Sequence, residues 1–329
     1  MTQTARGIEI PPIPHNAIGP TVPPSGYLVQ EIADGVHWVT DGGYQCAFVV
    51  CDDEVVAIDA PPSLGRLVTR AIRDVTSKPI THVVYTHFHG DHIGTVNQFP
   101  DEAVRIAQQE THAMLSETGD RLRRLPDVTF RDSYRLEVGG QVIEMHYKGS
   151  NHAPGNSFVH LPRQRILMLV DVIYPGWVPF TNIAQSKNIG GFMAYHDHAL
   201  AFDFDTMITG HLTRLGTRQD IEIQREYMHD IRAAAQHALE ITPVKRRLAR
   251  DTVGTDHIYL YFKTMYEAAA AEAARPVIEK WSGRLGGVET LGVNHTLTMY
   301  HSLRLDENAE PHVVFFPPTD TGPDHSHDH

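Results

Sequence analysis

The sequence predicts a mixed α/β fold in which two β-sheets are covered by helices, followed by an appended helical region. Three observations carry this prediction. Short runs of β-formers crowd two stretches, from Tyr27 to Ala60 and from Tyr134 to Asp171. Helical patterns lie between these stretches, which fits two covered sheets better than one doubly wound sheet. After His211 the pattern changes to long 3.6-residue periodicity.

Residues 1–25 are rich in Pro and Gly without any period, and read as an extended arm lying on the surface or on a partner subunit. "YLVQEI", "VHWVT", "CAFVVC" and "EVVAIDA" then follow with turn signals "ADG", "DGG" and "DD" between them, the pattern of an antiparallel meander. A helix over Leu64 to Val75 leads to the strand "THVVYT". Next come the strand "VRIAQQ", a helix from Glu110 to Glu117, and strands "YRLEV", "VIEMHYK", "NSFVHLP" and "RILMLVD". Residues 191–202 read as helix, and "DTMITGH" as a strand ending at His211. Thr217 and Asp220 form a capping-box start, with Ile221, Met228, Ile231, Ala235 and Ala238 along one helical face. A second long helix is expected from Asp256 toward Trp281, disturbed at Pro276. "NHTLTMYHSLRL" (294–305) alternates as a strand that "HVVFFPP" would pair with. The organisation expected is therefore an arm (1–25), a core (26–214), a helical extension ending in a hairpin (215–316) and a His-rich tail (317–329).

The chain has 329 residues, 41% of them hydrophobic and 21% charged, enough for a sizeable core. A formal charge of -12, spread along the sequence, repels phosphate backbones and argues against nucleic acid. No run approaches 18 apolar residues, and "MTQTARGIEIPPIPHNAIGP" has neither the charged start nor the apolar stretch of a signal peptide. A soluble cytoplasmic protein with no membrane partner is the expectation. Cys46 and Cys51 lie five apart on a strand, hence on opposite faces, and read as small buried hydrophobes rather than a disulfide. Of the 22 histidines, His325, His327 and His329 close the chain in a tract able to pick up metal ions but too mobile to build a catalytic site.

The chemistry is concentrated in "VVYTHFHGDHIG" (83–94), where His87, His89, Asp91 and His92 follow directly on a strand. Strand ends in α/β proteins leave side chains free of the core. "YKGSNHAPGN" adds His152 in a Gly- and Pro-rich turn, "LMLVD" ends in Asp171 and "MITGH" in His211. Together these supply what a dinuclear hydrolytic centre needs: nitrogen ligands for one metal, nitrogen and carboxylate ligands for another, and a carboxylate between them. His196 and His198, two apart on a helix, point to different faces and are not expected to be ligands.

The ordered set H-x-H-x-D-H, His, Asp, His over residues 27–211 resembles the metallo-β-lactamase fold superfamily. The resemblance implies an αββα sandwich with two divalent metal ions between the sheets, zinc first, with manganese, iron or cobalt as alternatives. His87, His89 and His152 would hold one metal, Asp91, His92 and His211 the other, and Asp171 would bridge. Asp59, which ends "VVAIDA", would support a ligand histidine from behind. The implied reaction is hydrolysis of a carboxylic ester-type bond by a metal-bridging hydroxide, with Asp91 orienting it and passing a proton to the leaving group.

An aspartate at 171 resembles the pattern of glyoxalase II, acyl-homoserine lactonases and some phosphodiesterases, where lactamases carry Cys or Ser. Tyr174 matches the tyrosine of such lactonases, so its phenol would donate to a developing oxyanion. Lactone therefore ranks ahead of thioester, although such lactonases are shorter than this chain. Trp177, Phe180 and Tyr44 would line an apolar or aromatic pocket. The rival class is a mononuclear iron enzyme of the persulfide dioxygenase type, which uses fewer of these ligands; a ribonuclease Z-like phosphodiesterase would need a basic surface. The expected partner is a small ester or lactone, with the arm or the C-terminal helices available for contact between copies of the chain. Whether those helices cap the site or form a subunit interface, the sequence does not choose.

Overall fold

The computed structural model describes residues 3–5, 8–212 and 214–307. A small hairpin, β1 (Gln3–Ala5) and β2 (Ile8–Ile10), precedes the first large sheet. That sheet has seven strands in sequential order: β3 (Leu28–Ala33), β4 (Val36–Thr40), β5 (Gln45–Val50), β6 (Val55–Ile58), β7 (Ile80–Val84), β8 (Val104–Gln108) and β9 (Val128–Phe130). Its first four strands are an antiparallel meander, and β6 to β9 run parallel. The switch to parallel pairing demands crossovers, supplied by α1 (Leu67–Val75) after β6 and α3 (Gln109–Thr118) after β8, with the single turn α2 (Gly90–Ile93) after β7.

The second sheet has five strands in order: β10 (Ser133–Val138), β11 (Gln141–His146), β12 (Phe158–Leu161), β13 (Ile166–Met168) and β14 (Thr206–Ile208), the last parallel to β13. Between β13 and β14 lie a one-turn left-handed element, α4 (Thr181–Gln185), and α5 (Ile189–Leu200). Three long helices follow: α6 (Arg218–Val253), α7 (Ile258–Trp281) and α8 (Val288–Ser302).

Burial sorts the side chains into layers. Cys46 and Phe48 of β5 pack on α1 with Val68 and Ile72, while Ala47 and Val49 face the other sheet with Val159 and Met168. Because both faces of β5 and β6 are covered, these strands read as continuous apolar runs rather than alternating ones. The outer face of the second sheet, with Phe158 and Leu167, packs on α5 to α8 in a cluster that includes Phe192, Ile221, Trp281 and Met299. The order helix, sheet, sheet, helix is an αββα sandwich. Cys46 and Cys51 are buried and free, in different core layers.

Two expectations are corrected. The stretch 294–305 is helix, not strand: the buried positions of α8 are Val288, Gly292, His295, Thr296, Met299 and Tyr300, a spacing of three and four. Its inward face is largely small or polar, so the odd-numbered apolar positions Leu297, Met299, Leu303 and Leu305 misled. The other half of the expected hairpin, 312–318, and the His-rich tail lie outside the described residues. Helix α7 also runs through Pro276 without ending. Ala273, Ala274, Val277 and Trp281 are buried on both sides of it, and that packing outweighs the roughly 3 kcal/mol that an internal proline costs.

The capping box at Thr217 is formed as read, and at residues 16 and 17 the arm lies on the chain's own surface. Asn16 Nδ2 donates to Arg284 O at 3.2 Å and Trp177 Nε1 to Ala17 O at 3.2 Å.

Two histidines are buried in the helical layer in neutral form. His196 Nδ1 faces the Phe192 and Met193 carbonyls at 3.1 Å and so carries the proton, leaving Nε2 to accept from Gln224 Nε2 at 2.9 Å. His295 Nε2 donates to Phe180 O at 3.2 Å, and Nδ1 accepts from the Tyr227 hydroxyl at 2.7 Å. Burial pushes both from 6.5 down to about 4. The unfolded chain therefore binds protons that the folded chain refuses between those values. Their stabilisation is complete above about pH 6.5 and is lost as pH falls toward 4, by up to about 3 kcal/mol for each histidine. The urea midpoint is expected to drop between pH 7.5 and pH 5, and less steeply in His295→Gln than in the parent; equal slopes would contradict this account.

Candidate metal centre

Five strand ends meet at one edge of the sandwich. Strands β6 and β7 are parallel; β11 and β13 share a direction through β12; and β14 is parallel to β13. Asp59, His87, Asp171 and His211 each come one to three residues beyond the end of one of these strands, and His152 lies in the turn that follows β11. Asp59 and Asp171 take left-handed backbone conformations, φ 61° and 63°, which turn the chain sharply off the sheet. Aspartate tolerates that region better than most residues because its short side chain bonds locally.

His87, His89, His152 and Asp171 each offer a ligand atom within a single 4.8 Å cluster, and Asp91, His92 and His211 form a second cluster of the same kind. Asp171 lies between the two. Its Oδ2 is 3.4 Å from His87 Nε2 and 3.1 Å from both His152 Nε2 and His92 Nε2, and its Oδ1 is 3.0 Å from His211 Nε2. Asp91 Oδ2 is 3.6 Å from His92 Nε2 and 3.8 Å from His211 Nε2. All seven side chains singled out in the sequence are thus in one place.

The donor set fits metal ions. His152 Nε2 and His89 Nδ1 face each other at 2.9 Å, as do the Nε2 atoms of His92 and His211 at 3.0 Å. Nitrogens held about 2.0–2.1 Å from one tetrahedral ion stand about 3.3 Å apart, so both pairs are spaced as ligand pairs. His87 Nε2 is buried with no hydrogen-bond partner.

The state of His87 is set from behind. Asp59 accepts from the Thr86 amide at 2.9 Å and from the Thr86 hydroxyl at 2.7 Å, and that hydroxyl lies 3.1 Å from His87 Nδ1. Since the hydroxyl proton is spent on Asp59, Nδ1–H must donate to Oγ1, which leaves Nε2 as a lone pair aimed into the cluster. Asp59 thus acts through Thr86. Thr86→Val is expected to weaken metal binding about 10- to 100-fold in competition with a chromophoric chelator, with Thr86→Ser near the parent; unchanged affinity in the valine variant would show that the hydroxyl does not matter.

The cluster is strongly polarised. Burial alone would raise Asp171, but His92, His152 and His211 hold its carboxyl well below the usual range. Burial likewise opposes charge on His92, yet Asp171, Asp91 and Asp59 lift it to about 9. Burial pushes His87 far down, and burial with neighbouring His152 takes His89 to about 4. Two nitrogens are thus kept as free lone pairs beside a fixed anion.

Three positioning groups escaped the sequence reading. Gln45 Nε2 donates to the carbonyls of His211, Leu212 and Arg214 at 2.8–3.0 Å and so anchors the His211 loop to β5. Asn151 Oδ1 accepts from the His152 amide at 2.7 Å and from Asn156 Nδ2, which also reaches Val170 O; the pair ties the His152 turn to the strand end bearing Asp171. Gln224 of α6 accepts from the Tyr174 amide at 2.8 Å and donates to Val172 O at 2.6 Å. The available signal was polarity out of place, a glutamine opening an apolar strand and an asparagine at each end of a short turn.

Beside the cluster opens a cavity of about 840 Å³, lined by Tyr44, Tyr174, Trp177 and Phe180 among others. The Tyr44 hydroxyl donates to Asp91 Oδ2 at 3.4 Å, and its ring lies 4.5 Å from that of His211. Tyr174 stacks near His211 at 6.2 Å. Burial first, then Asp91, pushes Tyr44 up to about 12; burial with Asp171 raises Tyr174 well above the usual phenol value, so both phenols stay protonated donors. His196 and His198 belong to neither cluster.

Comparison with known proteins agrees with this geometry. The chain is 29% identical over 218 residues to the 2,4-dinitroanisole O-demethylase subunit alpha of Nocardioides sp. (strain JS1661), a match covering 64% of this chain and 66% of that one, just under two thirds of the relative's length. It is 27% identical over 203 residues to the acyl-coenzyme A thioesterase MBLAC2 of Bos taurus, covering 48% and 72%. Among solved structures, a metallo-beta-lactamase from Pontibacter korlensis superposes with a TM-score of 0.52 at 18% identity, over 61% of this chain and 97% of that one, which shows a shared fold. The family model for the metallo-beta-lactamase superfamily matches residues 39–211, more than half of the chain and ending on the last histidine of the cluster; the chain belongs to that superfamily.

Proposed function

We propose that this protein is a dinuclear metal-dependent hydrolase of a carboxylic ester-type bond, with lactone or simple ester ahead of thioester. The observation that carries the reading is the meeting of five imidazoles and two carboxylates at the end of an apolar cavity. His87, His89 and His152 would hold one ion, Asp91, His92 and His211 the other, and Asp171 would serve both. Two divalent ions held there, zinc first, would supply hydroxide near neutral pH and polarise the substrate carbonyl.

The chain's own groups do the rest. Among the described residues, no serine or cysteine lines the cavity, and the reading needs no covalent attack by the protein. Tyr174 and Tyr44, both protonated, flank His211 and can donate to the oxygen that gains charge. Asp91, on the open side of its cluster, is placed to orient the attacking water and return its proton to the leaving group. The thioesterase relative keeps a thioester as the alternative substrate. The demethylase relative supports a second reading, cleavage of an aryl methyl ether, which Trp177 and Phe180 in the cavity favour.

The test is metal analysis of protein purified without chelators together with turnover of lactones, aryl esters, thioesters, aryl ethers, β-lactams and phosphodiesters. About two ions per chain and ester turnover that vanishes in Asp171→Ala are expected. One iron per chain with oxygen-dependent sulfur chemistry would overturn the proposal in favour of the dioxygenase class.

A further inference from the structure

The cavity has two halves of different origin. The strand ends make the metal end; the far wall comes from residues 174–185 and the turn between α7 and α8. These two segments are stitched together. Val178 N donates to Gly286 O at 3.0 Å and Gly286 N to Gly176 O at 2.9 Å. A Cβ on residue 286 would stand 2.5 Å from the Trp177 ring, so only glycine allows this approach. About two turns along, Asn294 Oδ1 of α8 accepts from the Asn182 amide at 2.6 Å and its Nδ2 donates to Asn182 Oδ1 at 2.8 Å.

That grip holds an unusual backbone. Asn182 to Gln185 all have φ of 52–55°, a left-handed turn that includes the β-branched Ile183. Each such residue costs about 1–2 kcal/mol, and the turn persists because Ile183 and Ala184 are buried in the cluster that α8 completes. The helical extension therefore builds the wall rather than merely lying near it.

The wall carries no cation. Among the described residues, no lysine or arginine lines the cavity, and its ionisable groups are the tyrosines and members of the two metal clusters. Arg123, nearest behind Gly90, is spent on Phe88 O at 2.6 Å and Asp120 at 2.7 Å. Lys187 is exposed, beyond the wall segment. A carboxylate, sulfate or phosphate pushed against Trp177, Val178, Phe180 and Leu291 would lose its hydration and gain no partner.

We propose that this slot, closed by the α7–α8 turn, selects substrates whose non-reacting part is uncharged and apolar, an aryl or branched alkyl group, and rejects anionic ones. This rests on the hydrolase reading for turnover but not for binding, and the test separates the two. With the metal-loaded full chain, kcat/KM is measured for a neutral aryl acetate and its para-carboxylate. Calorimetry compares a neutral aryl amide, as an unhydrolysed probe, with its carboxylated analogue. The neutral member is expected to win by about thirtyfold or more in both assays, chiefly through KM in the first. Thr290→Lys, at an exposed position of α8 on the cavity rim, is expected to shrink both ratios about tenfold; Leu291→Lys is the second variant should the first fold poorly. Equal handling of neutral and anionic members, or ratios unmoved by a folded lysine variant, overturns the slot whatever the turnover. Preferential binding of the neutral amide with no ester turnover leaves the slot standing and removes the hydrolase reading.

Discussion

Asp171→Ala is expected to lower hydrolysis by at least about 10³-fold and metal content from about two ions per chain to one or fewer, read by metal analysis on the same preparation. The reason is position. The Asp171 carboxylate stands 3.0–3.4 Å from imidazole nitrogens of both clusters, so its removal leaves four histidines facing one another with no anion between them. Alanine also meets the left-handed backbone at φ 63°, which adds strain of about 1–2 kcal/mol. Asp171→Asn separates the two effects, because asparagine tolerates that backbone while lacking the charge. It should melt near the parent and still lose at least about a hundredfold in activity. Retention of both ions and of activity in the asparagine variant would refute the bridging role.

Trp281→Ala is expected to cost about 4 kcal/mol and lower the melting temperature by roughly 10 °C. Trp281 is fully buried at the end of α7, edge-on to Tyr227 at 5.8 Å, with the Arg284 guanidinium 4.1 Å from its ring and its Nε1 donating to Asp230 at 2.7 Å. Deleting it opens a cavity and removes one of the two donors on the Asp230 carboxylate, the other being Lys280 Nζ at 2.6 Å. The turn that follows positions Gly286 against Trp177, so the same variant should raise KM for aryl esters more than it lowers kcat. Trp281→Phe keeps most of the burial and should lose less than half as much stability. A melting temperature unchanged in Trp281→Ala would show that the helical layer is not part of the cooperative unit.

Much of the sandwich was readable because its signals are local. The meander from Tyr27 to Ala60, the crossover helices and the box at Thr217 depend on periodicity and cap chemistry within about ten residues. The ligand positions were readable for a related reason: each chemical side chain comes at the end of an apolar strand, where it has little use in the core. Helix α8 was not readable as a helix, since the residues it buries include Gly292, His295 and Thr296, whose value lies in what they touch on α7, α6 and the 180–185 turn.

What the sequence determined by itself, then, is the set of strand ends that carry Asp59, His87, His152, Asp171 and His211, and the helical character of α6 and α7 beyond them. Only the tertiary structure decided that Gln45 would hold the His211 loop, that Thr86 would link Asp59 to His87, and that Gly286 and Leu291 would wall the cavity over 100 residues downstream of Trp177. Periodicity records which face of an element is buried, a property of neighbours along the chain. It does not record which distant element does the burying, because close packing selects that partner by shape and by hydrogen bonds that exist only once both surfaces have met.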